Sequence, residues 1–207
     1  MLHKGENMAD ILPPNKPRLS TKDLEALLDP YKIDRVKYPL LIVGIRGYYF
    51  DTMGKPGEND RGIYDDAIVL YTSNVMAAFN ANCDPSKQSP GMASLKPGFW
   101  PCYRFDLHHG KVKTYDAICQ RSGPVTVIRD GTPSGMIFPH SYREDTGMFG
   151  INIHKGGFWT TSSEGCQTLP TSQWDAFYSL ARSEATRIWG IDWKKRDVAY
   201  VLLENPQ

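Results

Sequence analysis

The pattern of apolar and polar positions changes character twice along the chain. Residues 1–19 are polar and punctuated by Pro13, Pro14 and Pro17, the texture of a flexible arm. Ser20-Thr21-Lys22-Asp23 then reads as a capping box opening a helix, with Leu24, Leu27 and Leu28 on one face and Asp29-Pro30 as its stop. From residue 38 the spacing becomes that of strands, rich in β-branched and aromatic residues and broken by glycine. Runs at 40–43, 48–50, 67–71, 75–79, 125–128 and 148–154 predict strands, and 98–107 with 111–118 predict a hairpin turning through His108-His109-Gly110. Residues 83–96 and 132–147 read as loops. After Pro170 the period lengthens: Trp174, Phe177, Tyr178, Ala181, Ala185, Ile188 and Trp189 form a helical stripe, with Thr171 or Ser172 as its N-cap and Gly190 as its stop. Residues 198–203 then read as a buried strand. The expected fold is mainly β, with a short N-terminal helix and one longer C-terminal helix. Residues 20–207 form one domain whose core begins near residue 35.

Charge narrows the functional classes. With 24 Lys and Arg against 23 Asp and Glu, a net charge of +1 argues against a partner held by broad electrostatic attraction, so no nucleic acid is expected. No apolar run approaches the roughly 18 residues of a membrane span, so none is expected. The four cysteines (Cys83, Cys102, Cys119, Cys166) make no CxxC, which disfavours a zinc knuckle. Residues 1–10 show no apolar leader pattern, so reduced thiols and synthesis in the cytoplasm are expected. His108 and His109 are neighbours on a strand and point to opposite faces, which argues against a shared metal; neither metal nor cofactor is expected. Glu58, Asp60, Asp65 and Asp66 around Arg61 read as a solvated loop with salt bridges.

The chemistry concentrates in residues 149–170, FGINIHKGGFWTTSSEGCQTLP. An alternating strand delivers His154 at its end, Gly156-Gly157 lets the chain turn, and Ser163-Glu164-Gly165-Cys166 follows. Cysteine catalysis needs a thiol, an imidazole to take its proton and amides to hold an oxyanion. Cys166 as nucleophile, His154 as base, and the amides of Gly165 and Cys166 as the hole satisfy that list. The competing reading is bland, since cysteine is among the most buried residue types and most cysteines only pack. Lys155, Gly156, Gly157, Trp159 and Gln167 surround the pair in sequence and are the candidates for substrate contact.

The same segment resembles the active-site signature of the L,D-transpeptidase (YkuD-like) family: a His closing a strand with glycine nearby, then Ser-x-Gly-Cys. Leu95-Lys96-Pro97-Gly98-Phe99 is similar to an upstream segment of that family. This chain departs from the pattern at Lys155, Glu164, Gln167 and Thr168, and its interval between His154 and Cys166 is short. An inward-pointing Glu164 carboxylate would raise the thiol pKa. The resemblance implies a β-sandwich or mixed sheet. It also implies a Cys166 nucleophile served by His154, with Ser163 and Gly165 building the turn, acting on peptidoglycan stem peptides at the meso-diaminopimelate–D-Ala bond. Transfer to an amine and hydrolysis by water both remain open. More loosely, the chain looks like phage- or prophage-encoded members of the group, so a role in phage lysis or as an antibacterial effector, with delivery to the cell wall by a holin, a virion or a secretion machine, is expected. The alternative is a non-catalytic, aromatic-rich β-domain serving as a virion or wall-binding module.

Overall fold

A computed structural model describes residues 19–110, 113–131 and 143–204. The arm expected at 1–19 therefore lies outside the described residues apart from Leu19, whose amide donates to the Tyr48 hydroxyl at 2.9 Å. The chain is mainly β with two α-helices, as expected. In order, the elements are α1 (Thr21–Leu28), β1 (Leu41–Ile45), β2 (Asp66–Tyr71), β3 (Met76–Ala81), β4 (Ala93–Leu95), β5 (Gly98–His109) and β6 (Thr114–Gln120). They continue with β7 (Val125–Arg129), β8 (Arg143–Gly147), β9 (Ile153–Lys155), β10 (Gln167–Leu169), α2 (Thr171–Trp189) and β11 (Val198–Leu203).

Eight strands form one mixed sheet in the order β10-β9-β6-β5-β11-β1-β2-β3, and β4-β7-β8 form a second, three-stranded sheet. Pairing is antiparallel except for β1 with β11 and β9 with β10. The two outer strands of the large sheet meet again. Asn82, just past β3, exchanges two backbone hydrogen bonds with Thr168 of β10, at 2.8 and 2.9 Å. The sheet thus curls until its edges are bridged, which leaves the site strand β10 no open edge at that point.

The continuous apolar runs of β1, β2 and β11 follow from burial on both faces. Leu40, Ile42, Ile68, Leu70, Val198, Tyr200 and Leu202 join one core with Trp174, Phe177, Tyr178, Ala181 and Ala185 of α2. Leu41, Val43, Ile45, Val69, Ala199, Val201 and Leu203 join another under Leu24 and Leu28 of α1. The capping box is formed: Asp23 N donates to Ser20 Oγ at 3.2 Å, and Ser20 N to Asp23 Oδ2 at 3.3 Å. The expected hairpin is formed by β5 and β6, with Tyr103 opposite Gln120, but His108 and His109 belong to the strand, opposite Tyr115 and Thr114, and not to its turn.

Several local expectations fail for identifiable reasons. Residues 48–50 form a turn instead of a strand, because Gly47 N is captured by the buried Asp66 Oδ1 at 2.6 Å and Phe50 N by Gly47 O at 3.1 Å. The supposed loops at 83–96 and 132–147 contain β4 and β8, each paired to β7; residues 132–142 of the second lie outside the described residues. Strand geometry begins only at Ile153, because the amides of Phe149, Gly150 and Ile151 all donate to one side-chain oxygen, Gln120 Oε1. Helix α2 takes Pro170 as its N-cap, with no side-chain cap, in place of Thr171 or Ser172. The acidic cluster divides: Glu58 and Asp60 pair with Lys55 at 3.1 and 3.6 Å, with Glu58 exposed as expected, whereas Asp65 and Asp66 are buried, Arg46 is buried against Asp84 at 3.1 Å, and Arg61 pairs with Asp130 at 2.5 Å.

Candidate active site

Cys166 is half-buried, whereas Cys83, Cys102 and Cys119 are buried and all four are free thiols. It ends the loop that connects the parallel strands β9 and β10, in which Thr168 lies beside His154 and Gln167 beside Ile153. The loop is short but firmly tied. Ser163 N donates to Ser86 Oγ at 2.7 Å, Ser86 N returns to Ser163 O at 2.9 Å, and Thr161 Oγ1 shares a hydrogen bond with Ser86 Oγ at 2.6 Å. Gly156 packs under the Tyr64 hydroxyl, where a Cβ would overlap it, and Gly156 N donates to Leu169 O at 2.8 Å.

The cysteine turn is built by side chains. Ser163 Oγ donates to Cys166 O at 2.7 Å and accepts from Gly165 N at 3.0 Å. Gly165 has φ +138°, and a Cβ there would run into the Ala93 carbonyl oxygen, so glycine is required on both counts. Gln167 Nε2 donates to Gly165 O at 3.1 Å, while its Oε1 accepts from the Tyr200 hydroxyl at 2.9 Å. Tyr200 fits because β1 has Gly44 beneath its hydroxyl, where a Cβ would overlap. Gln167 is thus wholly buried and braces the turn from behind, which corrects its expected place at the substrate-facing rim. Gly165 N is likewise occupied by Ser163 Oγ. Among the described residues the Cys166 amide has no acceptor, which leaves it as the local donor for an oxyanion.

The thiol and imidazole are linked through intermediaries. Asn152 N donates to Cys166 Sγ at 3.4 Å, and Sγ–H reaches Gly150 O at 3.5 Å. Asn152 is held in turn by Gln120, whose amide donates to Asn152 Oδ1 at 3.0 Å, and its Nδ2 lies 3.0 Å from His108 Nδ1. His108 stacks on His154, with centroids 4.1 Å apart and planes at 15°. His154 Nδ1 sits 2.8 Å from Lys155 O and 3.1 Å from the Tyr115 hydroxyl. A carbonyl only accepts, so Nδ1 carries the proton and Nε2 presents a lone pair, the tautomer a general base needs. Among the described residues no hydrogen bond joins the Cys166 thiol to the His154 imidazole directly.

Electrostatics keep both groups neutral. Burial pushes the Cys166 thiol up to about 11; the Asn152 amide opposes this and the Glu164 carboxylate adds to it, as expected from sequence. Burial, then the neighbouring His108, brings His154 down to about 4, against the pull of the Lys155 carbonyl. At neutral pH the pair is therefore thiol and imidazole, not thiolate and imidazolium.

The rim is aromatic. Trp159 is 67% exposed and Phe158 58%, within the loop between the two groups, while Lys155 and Gly157 are half-buried. Ser163, Gly165 and Cys166 form one turn at the start of β10, against Asn152, and His154 lies two residues further on, in β9, beside Thr168. Sequence reasoning missed Asn152, His108, Tyr115 and Gln120. Asn152 carried a signal, as a polar residue two places before His154 in an apolar strand pattern; His108 carried none, because it arrives from β5, far away along the chain. Among the described residues no helix is long and apolar enough to cross a membrane. Nor do three or more His, Cys, Asp or Glu side chains gather to hold a metal ion. No protein-family model matches the chain, and no curated protein matches it in sequence.

Proposed function

We propose that the protein is a cysteine acyl-transfer enzyme acting on bacterial cell-wall stem peptides, with Cys166 as nucleophile and His154 as general base. The observation that carries the reading is the chain Cys166–Asn152–His108–His154. The one cysteine with solvent access receives an amide at its sulfur, and that amide's residue is bonded to the ring stacked on a histidine whose Nε2 is free to accept. The likeness of the Ser-x-Gly-Cys segment to L,D-transpeptidases supplies the substrate class.

In this mechanism the thiol proton passes to His154 Nε2 as the sulfur lone pair attacks the peptide carbonyl carbon, and the Cys166 amide meets the oxyanion. Collapse breaks the C–N bond, and the departing amine takes the proton from His154, leaving a thioester on Cys166. Water or an acceptor amine then attacks the thioester with His154 again removing a proton, which regenerates the thiol. Because thiol and imidazole rest neutral, the proton leaves the sulfur only on the way to attack, before or together with it. The exposed Phe158 and Trp159 form an apolar wall against which a sugar–peptide can lie.

Incubation with sacculi or tetrapeptide muropeptides, read by mass spectrometry, tests the reading. Loss of terminal D-Ala, new cross-links or cleaved cross-links are the expected products, and Cys166→Ala and His154→Ala each reduce them to background, because base and nucleophile act as a unit. Unchanged substrates with the wild-type protein would overturn it. A second reading draws on the exposed Trp159 and Phe158: a wall-binding module, for which Cys166→Ala retains binding to sacculi and no product forms.

A further inference from the structure

The two imidazoles carry opposite, fixed tautomers. Gln120 N can only donate, so Asn152 must turn its Oδ1 toward it at 3.0 Å and its Nδ2 toward His108. His108 Nδ1, 3.0 Å from that Nδ2, must therefore accept, which places the His108 proton on Nε2 and keeps the ring neutral. The ring then lies almost parallel to His154 at 4.1 Å, with Tyr115 edge-on to both rings, at 5.3 Å from His108 and 6.3 Å from His154.

We propose that His108 is a positioning residue that holds the His154 base by stacking and the Cys166 thiol through Asn152, so that both halves of the pair move as one unit. This rests on the Cys166–His154 reading above. Protonating His108 would do two things together. Its Nδ1 would become a donor facing the Asn152 Nδ2 donor, and a positive charge would sit against the ring that must accept the thiol proton. The groups around His108 reinforce its neutral state: His109 on its own strand and Arg121 beyond β6 both disfavour a charge there, burial does so most strongly, and Arg121 is itself paired with Asp106 at 2.6 Å. Tyr115 on β6 and His154 on β9 complete its surroundings. When His154 becomes imidazolium during attack, the neutral ring beside it offers a π face to the new charge.

Two variants separate the roles. His108→Gln retains an oxygen able to accept from Asn152 Nδ2 and loses the stack; His108→Phe retains a stacked ring and loses the acceptor. The readout is the rate of Cys166 alkylation by iodoacetamide, followed by peptide mass spectrometry from pH 4 to 9, which needs no cell-wall substrate. Both variants are expected to alkylate about tenfold or more slowly at neutral pH, and both to move the acid limb of the profile upward as His154 loses the neighbour that holds it down. A ring or hydrogen bond that mattered only for packing would lower thermal stability and leave the limb in place. Rates within twofold of wild type with an unmoved limb, in two folded variants, would overturn the proposal. His154→Ala is the control: if it alkylates as fast as wild type, the pair itself is wrong, whereas a slow His154→Ala beside unaffected His108 variants refutes only the role given to His108.

Discussion

Replacing Tyr200 with Phe removes one oxygen from the wall behind the cysteine turn. That hydroxyl donates to Gln167 Oε1 at 2.9 Å, and both residues are fully buried. The variant leaves the glutamine oxygen with no donor in a dry site, which costs about 1–3 kcal/mol, while the void left by one oxygen above Gly44 adds little. At 2 kcal/mol, a protein of 207 residues loses about 4–8 °C in Tm. Urea titration followed by tryptophan fluorescence should show a lower midpoint at unchanged slope, since the area exposed on unfolding does not change. In the double variant Tyr200→Phe/Gln167→Met neither the hydroxyl nor the glutamine oxygen is left without the other, so its loss should fall short of the sum of the single losses. The turn should feel the change as well, because Gln167 Nε2 donates to Gly165 O; Cys166 alkylation in Tyr200→Phe should differ from wild type. A midpoint equivalent to less than about 0.5 kcal/mol of destabilisation, or strict additivity in the double variant, would refute the bracing role.

Other outcomes follow from the same geometry. Gly165→Ala, at φ +138° and against the Ala93 carbonyl, should destabilise by at least about 2 kcal/mol and abolish selective alkylation of Cys166, measured by urea titration and mass spectrometry. Gln120→Leu strips one acceptor from the amides of Phe149, Gly150 and Ile151 and should cost about 3 kcal/mol or more, read as a fall in Tm. Asp65 is pushed up to about 7, chiefly by burial, with the Asp84 and Asp60 charges adding to it. Its folded form keeps a proton that the unfolded form has lost above about pH 4, so stability falls as pH rises from there to 7; Asp65→Asn should flatten that fall in Tm between pH 4 and 7. Because the thiol rests near 11 and the imidazole near 4, wild-type alkylation should still climb through pH 9, and a plateau from about pH 6 would point to a preformed ion pair instead.

What could be read in advance follows the range over which each signal acts. The capping box of α1 and the stripe of α2 are local, so their spacing sufficed. β1, β2 and β11 announced themselves as unbroken apolar runs because both their faces are covered. β8, with the sequence REDTG, is polar and is a strand only because β7 pairs with it. Tyr48 and Tyr49 have strand-forming side chains, but the buried carboxylate of Asp66 captures the preceding amide, Gly47 N, from 19 residues further along the chain and turns it. The site divides in the same way. His154 and Cys166 belong to one short segment and one recognisable pattern, whereas His108, Gln120 and Tyr200 arrive from three other strands, and nothing in their own neighbourhoods marks them.

The position of β11 has a consequence for the order of assembly. It lies between β5 and β1, near the middle of the large sheet, although it is the last described strand in the chain. During synthesis, the hairpin β5–β6 and the meander β1–β2–β3 can form early, but they have no partner across the gap until residues 198–203 emerge. Tyr200, which braces the cysteine turn, is part of that same strand. Until β11 is in place, the turn at Cys166 lacks its Tyr200 brace and the large sheet lacks its central pairing. Without β11 the halves of the large sheet would remain joined through the Asn82–Thr168 bridge while the turn at Cys166 lost the hydroxyl behind it, so one central strand serves both the closure of the sheet and the firmness of the thiol loop.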